Sequence, residues 1–199
     1  MDFIDKYLNE LEAVVHNISR DAIRSVVDVL LECWRDQQTA FLIGNGGSAA
    51  TASHMMNDLN KFTAVPGMPR FRAIALTDNV PLMTAVGNDL EYAEIFLEPL
   101  KNLLQPGDLL IAMSASGNSP NIVRAVEYAQ SIRATVIGFC GQPGGRLAQM
   151  ANLKVIIPSA RIGQQEDGHL ILNHVITATL AELIRSMSPK AVAVDAPDQ

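Results

Sequence analysis

His54 and Asp58 are four residues apart in a segment that predicts a helix, so their side chains project from the same face. An imidazole and a carboxylate at this spacing are able to share a proton, a substrate or a metal ion. The simpler alternative is a hydrogen-bonded pair on the protein surface. The pair begins less than two turns after a glycine-rich turn, and this proximity favours a functional site.

Four further ionisable side chains lie near the start of the last predicted helix: Glu166, Asp167, His169 and His174. Acidic residues at a helix N-terminus often serve only to balance the helix dipole, which is the structural alternative for Glu166 and Asp167. His174 interrupts the apolar stretch 170–176. The alternative for His174 is a hydrogen-bonded core histidine, and the spacing leads us to favour catalysis.

The glycine-rich turn reads Gly-Asn-Gly-Gly-Ser at 44–48 and follows the apolar run 39–43. Glycines let the backbone approach a ligand closely, and a helix that starts here directs its N–H groups at negative charge. Ser48 is expected both to cap this helix and to bind phosphate. No lysine follows, as it would in a nucleotide-hydrolysing loop, so the pattern predicts a small phosphorylated metabolite and no nucleotide cofactor.

A second loop with the same placement spans 114–120 and follows the predicted strand 108–113. It carries Ser114, Ser116 and Ser119, and Pro120 suits the first position of a new helix. Serines in such places are often only caps and turn formers. Two serine loops after two strands nevertheless favour one phosphate that is held from both sides.

These loops must be positioned by a sheet. Strands are predicted at 39–43, 72–76, 108–113, 135–140 and 153–157. Helices are predicted at 48–61, 80–103, 120–131, 145–151 and 166–187, after two helices within 1–37, the second capped by Ser19 or Asp21. The alternation predicts a doubly wound α/β fold with a mainly parallel, five-stranded sheet, which binds ligands at the carboxyl ends of its strands.

Length and composition limit the function classes. The 199 residues suit a single domain over 1–199, with 188–199 expected to be a flexible tail. A net charge of −6 and only 5% aromatic residues argue against a nucleic-acid surface. Two cysteines without metal-pair spacing favour a cytoplasmic protein, and no apolar run approaches the roughly 20 residues that span a bilayer.

Five segments together resemble the sugar isomerase (SIS) domain, and within it the phosphoheptose isomerase branch: 44–48, the following helix with His54, 85–89, 114–119 and 144–148. The resemblance implies a homotetramer whose N-terminal helices pack together and whose active sites lie between subunits. It also implies conversion of sedoheptulose 7-phosphate to a manno-heptose 7-phosphate through an enediolate.

The resemblance also implies a role for each matching residue. Asp58 would be the catalytic base and His174 the catalytic acid. The implied substrate ligands are Asn45, Gly46, Gly47, Ser48, Asn88, Asp89, Ser114, Ser116, Ser119 and Glu166. The implied ligands of zinc or another divalent metal are His54, Asp58, Glu166 and His174.

Three positions depart from the family pattern. Asp58 stands where the family has glutamate, which withdraws the carboxylate by about 1.5 Å, Glu166 replaces a glutamine, and Ala115 replaces a threonine. In a regular helix, residues 166 and 174 are about 12 Å apart, so both reach one ion only if Glu166 precedes the helix. Two alternatives therefore stay open: a non-catalytic SIS adaptor of the kind that associates with the replication initiator, and an isomerase for another phosphosugar.

Overall fold

The computed structural model describes residues 2–188, and five strands in that part of the chain form one parallel sheet. They are β1 (Ala40–Gly44), β2 (Ala73–Ala75), β3 (Leu109–Ser114), β4 (Thr135–Gly141) and β5 (Leu153–Ile157). Their order across the sheet is β2-β1-β3-β4-β5. The predicted sheet is confirmed. The chain adds β2 on one side of β1 and β3 on the other, so the strand order reverses at β1. The crevice at such a reversal is where open α/β sheets bind ligands.

Helices cover both faces of this sheet. They are α1 (Phe3–Asn17), α2 (Arg20–Arg35), α3 (Gly47–Asn57), α4 (Val80–Asp89), α5 (Leu97–Leu103), α6 (Pro120–Ser131), α7 (Gly145–Met150) and α8 (Ile162–Ser186). Side chains on β1 alternate between two apolar clusters, with Leu42 in one and Phe41 and Ile43 in the other. Each cluster is therefore the core between one face of the sheet and its helices.

The predicted helix at 80–103 is wrong as a single element. The chain instead forms α4, a short 3₁₀ turn at Tyr92–Glu94, and α5. Pro99 explains the break, because a proline fits the first turn of a helix but removes a hydrogen bond from a helix interior. It is the third residue of α5, where its missing N–H costs nothing.

The N-terminal helices differ in how they pack. Ser19 accepts a hydrogen bond from the Ala22 amide, so it is Ser19 and not Asp21 that caps α2. α2 buries a continuous apolar face against the sheet, whereas α1 buries only Val14 and leaves Phe3 exposed. An apolar stripe on α1 thus remains uncovered in a single chain.

The tail predicted at 188–199 lies outside the described residues from 189 onward, whereas Ser188 is described and is buried. Among residues 2–188, no helix combines the length and the apolar character that crossing a bilayer requires.

Candidate active site

The first serine loop joins β1 to α3 through Gly46, which adopts φ +55°. Gly46 is the N-cap residue and α3 starts at Gly47, so the expectation that Ser48 caps the helix is wrong. The positive φ of Gly46 turns the chain so that the helix begins at Gly47, one residue before the predicted start. Gly44 is equally constrained, because a Cβ there would lie 2.5 Å from the backbone oxygen of Ser48. The buried Ser48 hydroxyl is left free of a capping role.

The second serine loop is held by its own side chains. Ser114 Oγ accepts a hydrogen bond from the Gly117 amide at 3.1 Å, and Ser116 Oγ accepts one from the Asn118 amide at 3.2 Å. Gly117 has φ +64° and lies against the backbone of Gly144, which leaves no room for a side chain. Pro120 then begins α6, as predicted.

Both loops line one cavity of about 230 Å³. Its polar lining residues are Asn45, Ser48, Ser114, Ser116, Ser119 and Glu166. No lysine or arginine is among the described residues that line it. The cavity lies at the carboxyl ends of β1 and β3, and the two loops thus face one shared space in which hydroxyl groups and helix N-termini are available to an anion.

Glu166 lies at this cavity because α8 begins at Ile162, one turn before the predicted start. Its carboxylate packs against Gly47, where a Cβ would come within 2.5 Å of Glu166 Oε1. Glu166 is therefore inside the regular helix and two turns before His174, about 12 Å along the axis. It lies outside the cluster of candidate metal ligands, which holds three of the four expected residues.

The three remaining ligand candidates meet between α3 and α8. His54 Nε2 is 3.5 Å from Asp58 Oδ2, and the rings of His54 and His174 meet edge to face with centroids 5.0 Å apart. One ligand atom from each of the three residues lies within 4.8 Å of the other two. The predicted His54–Asp58 pair is thus present, and it is completed by a histidine 116 residues further along the chain.

Asp58 is positioned by two features that sequence reasoning missed. It starts a π-helical turn, Asp58–Phe62, that continues α3. The fully buried Asn173 donates a hydrogen bond from Nδ2 to Asp58 Oδ2 at 2.9 Å. Only the position of Asn173 beside His174 on an apolar helix face signals this role in the sequence.

The His54–Asp58 distance suits a zinc ion, and the ligand atoms of the whole cluster lie within 4.8 Å of one another. Zinc–ligand bonds of 2.0–2.1 Å in a tetrahedron separate the ligand atoms by about 3.3 Å, close to the His54–Asp58 distance of 3.5 Å. Two imidazoles and one carboxylate form a ligand set that zinc accepts, with a fourth position left for substrate or water.

Asn88 and Asp89 do not line the cavity. They lie at the exposed C-terminal end of α4, where Asn88 Nδ2 donates a hydrogen bond to Asp89 Oδ1 at 2.8 Å. The 3₁₀ turn that follows α4 nevertheless contacts a residue of the cavity, because Tyr92 Oη donates a hydrogen bond to Asn45 Oδ1 at 3.1 Å.

Asn45 is bound to a residue that sequence reasoning did not select. Asn45 Nδ2 donates to Asn121 Oδ1 at 2.9 Å, and Asn121 Nδ2 donates to Asn45 Oδ1 at 2.8 Å. Asn45 Oδ1 thus accepts two hydrogen bonds, from Asn121 and Tyr92, and one of the two Nδ2 hydrogens of Asn45 remains for a ligand in the cavity. No motif marks Asn121 beyond its position in the first turn of α6.

His169 lies outside the cluster of His54, Asp58 and His174. Its ring is fully buried beside Phe139, with ring centroids 6.4 Å apart. Burial lowers the pKa of His169 to about 4, against a smaller raising effect from the Cys140 backbone. The ring is consequently neutral at pH 7 and belongs to the core.

Known proteins share this fold. The SIS domain family matches residues 2–141. The chain is 34% identical over 179 residues to the phosphoheptose isomerase of Trichlorobacter lovleyi, an alignment that covers 87% of this chain and 90% of that relative. It is 35% identical over 162 residues to the phosphoheptose isomerase of Aquifex aeolicus, with 81% and 84% covered. The solved phosphoheptose isomerase GmhA of Neisseria gonorrhoeae superposes with a TM-score of 0.83 at 26% identity, with 90% and 97% covered.

The chain belongs to the SIS domain family. The two relatives and the structural neighbour above are all phosphoheptose isomerases, which is the branch of the family that it joins. The resemblance drawn from the glycine-serine loops is thereby confirmed.

Proposed function

We propose that this chain is an aldose–ketose isomerase that converts sedoheptulose 7-phosphate to a manno-heptose 7-phosphate. The observation that carries the proposal is the cavity between two serine loops, with the His54–Asp58–His174 cluster on the two helices that border it. The names of its phosphoheptose isomerase relatives supply the substrate. The cavity would hold the phosphate, and the cluster would act on the carbonyl end of the open sugar chain.

The reaction moves hydrogen within one molecule and needs no external oxidant or reductant. Asp58 removes the proton from the hydroxyl-bearing carbon beside the ketone, while His174 donates a proton to the ketone oxygen, which gives the enediol. Asp58 then returns its proton to the former ketone carbon. His174 takes the proton from the hydroxyl group on the neighbouring carbon, which gives the aldose. A carboxylate and an imidazole on different helices fit these two proton transfers.

Asn173 keeps the base in place for this step. Its hydrogen bond to Asp58 Oδ2 orients the carboxylate toward the cluster. The side chain of Asp58 is one methylene shorter than that of glutamate and needs such support, because a misplacement of about 1 Å can cost about 100-fold in rate.

We also propose that the cluster binds zinc or another divalent metal through His54, Asp58 and His174. Such an ion, when bound, polarises a carbonyl oxygen as a Lewis acid. Glu166 remains a proposed substrate ligand, as a hydrogen-bond acceptor for hydroxyl groups of the sugar, since it lines the cavity.

The proposal extends to assembly and location. The exposed Phe3, Ile4 and Leu8 on α1 support a homotetramer built through its N-terminal helices. Asn88 and Asp89 stay proposed ligands of sugar hydroxyls, at active sites between subunits. Two buried, unpaired cysteines, Cys33 and Cys140, support a reducing cytoplasm.

The decisive experiment is an NMR assay of a panel of heptulose and hexulose phosphates, with and without a chelator. We expect turnover of sedoheptulose 7-phosphate above all other sugars. Turnover of a different phosphosugar would replace the substrate and keep the reaction. Binding without turnover of any sugar would overturn the enzymatic proposal and favour the adaptor alternative.

A further inference from the structure

The two loops of the phosphate cavity are joined by a pair of side-chain amides. Asn45 belongs to the first loop, and Asn121 lies directly after the second loop, in the first turn of α6. Their two reciprocal hydrogen bonds, of 2.9 and 2.8 Å, connect loops that are 76 residues apart in sequence. Asn121 is only 1% exposed, whereas Asn45 is partly exposed where it lines the cavity.

The orientation of both amides is determined by their neighbours. The Ile122 amide donates to Asn121 Oδ1 at 2.9 Å, so the oxygen of Asn121 must be on that side. Asn121 Nδ2 is then directed at Asn45 Oδ1, which also accepts the hydroxyl hydrogen of Tyr92. Each of these donors meets an acceptor, and the network has a single consistent arrangement.

We propose that Asn121 is a positioning residue that sets the spacing of the two serine loops around the phosphate. This inference rests on the proposed function, because it takes the cavity to be a phosphate site. Among the described residues that line the cavity there is no lysine or arginine, so affinity depends on neutral donors. Hydroxyl–oxygen hydrogen bonds require distances of about 2.5–3.0 Å, and a change in loop spacing weakens several of them together.

The test compares phosphate binding with turnover in Asn121→Ala. Loss of the Asn121 amide removes both bonds to Asn45, and we expect roughly tenfold weaker binding of inorganic phosphate by calorimetry. The KM for the phosphosugar should rise by a similar factor, while kcat stays within about twofold because the cluster is untouched. A variant that merely loosened the fold would lower kcat as well.

Two further variants make the result decisive. Asn152→Ala is the matched control, since Asn152 Oδ1 accepts a hydrogen bond from the Val136 amide at 2.8 Å near the amino-terminal end of β4, away from the cavity, and the change should leave phosphate binding unchanged. Tyr92→Phe changes a side chain that is 63% exposed, so it folds even if Asn121→Ala does not, and should weaken phosphate binding about twofold to fivefold.

The outcomes separate the two proposals. Wild-type affinity for phosphate in Asn121→Ala, or in Tyr92→Phe if the former does not fold, would overturn the positioning role alone. Failure of the wild-type protein to bind inorganic phosphate at all would overturn the phosphate site, and the positioning role with it.

Discussion

Asn173 donates a hydrogen bond to Asp58 across 115 residues of sequence, and this bond joins the middle of α8 to the end of α3. Because the next residue is His174, the same turn of α8 supplies the proposed acid and supports the proposed base. The relative placement of acid and base is therefore determined by the packing of two helices, without any flexible loop.

Asp58→Asn and His174→Gln should each lower kcat by at least 100-fold, because each removes one of the two proton-transfer groups. Neither side chain is in the core, so the melting temperature should stay within a few degrees of wild type. Steady-state kinetics and thermal unfolding measure both effects. His16→Gln, on the exposed face of α1, is the control and should retain full activity. Substantial turnover in either site variant would remove its proposed role.

Asn173→Ala should lower kcat by roughly tenfold, because the Asp58 carboxylate loses a hydrogen bond worth about 1.5–3 kcal/mol. KM should change little, since the phosphate cavity is separate from this contact. Asn17→Ala, which removes a side-chain bond to the Ala13 carbonyl in α1, controls for the loss of an amide. Equal kinetics in the two variants would show that Asn173 acts only in folding.

Glu166→Gln should tighten the binding of inorganic phosphate several-fold, since it removes a like charge from a cavity lined by neutral donors. Calorimetry at fixed pH measures the affinity. Asp167→Asn is the matched control, because Asp167 carries the same charge one residue away but accepts a hydrogen bond from Tyr7 Oη at 2.6 Å. Weaker phosphate binding in Glu166→Gln would instead indicate that the carboxylate assists the ligand.

Zinc should bind with a stoichiometry of one per chain and should require the three clustered residues. His54→Gln is expected to weaken zinc binding by at least tenfold, while Glu166→Gln leaves it nearly unchanged, because Glu166 lies outside the cluster. Equilibrium dialysis against a metal buffer distinguishes the two. An equal loss in both variants would restore Glu166 to the ligand set.

Stability should fall as the pH is lowered from about 6.5 to 4, in part through His169. Burial holds the pKa of its ring at about 4 in the folded chain, below the ordinary value of 6.5, so the unfolded chain binds the proton first. Each pH unit in this window then costs at most about 1.4 kcal/mol from this residue. Denaturant unfolding of His169→Gln should show a shallower dependence on pH, and an unchanged slope would contradict the assignment.

The sheet could be predicted because buried parallel strands are short, continuous apolar runs between glycine turns, as at 39–43 and 108–113. The serine loops could be predicted for the same reason, since they follow those strands directly. The break near Leu90 was missed because apolar spacing continues across it, although Gly87, Asn88 and Pro99 all favour an interruption.

The start of α8 was predicted at Glu166, and the helix begins one turn earlier at Ile162. Of the two roles expected for Glu166, its position on the cavity supports that of a substrate ligand. Asn121 and Asn173 could not be predicted, because each acts through a partner more than 70 residues away and has no local pattern.

The π-helical turn at Asp58–Phe62 also limits how this chain is able to evolve. Asn60, inside the turn, exchanges two hydrogen bonds with the backbone of Ala73 at the start of β2, at 2.8 and 2.9 Å. Deleting one residue between Asp58 and Asn60 would rotate Asn60 by about 100° around the helix axis and direct it away from that strand. Lineages that keep the Asp58 site should therefore vary here by substitution, and changes in length should accumulate elsewhere.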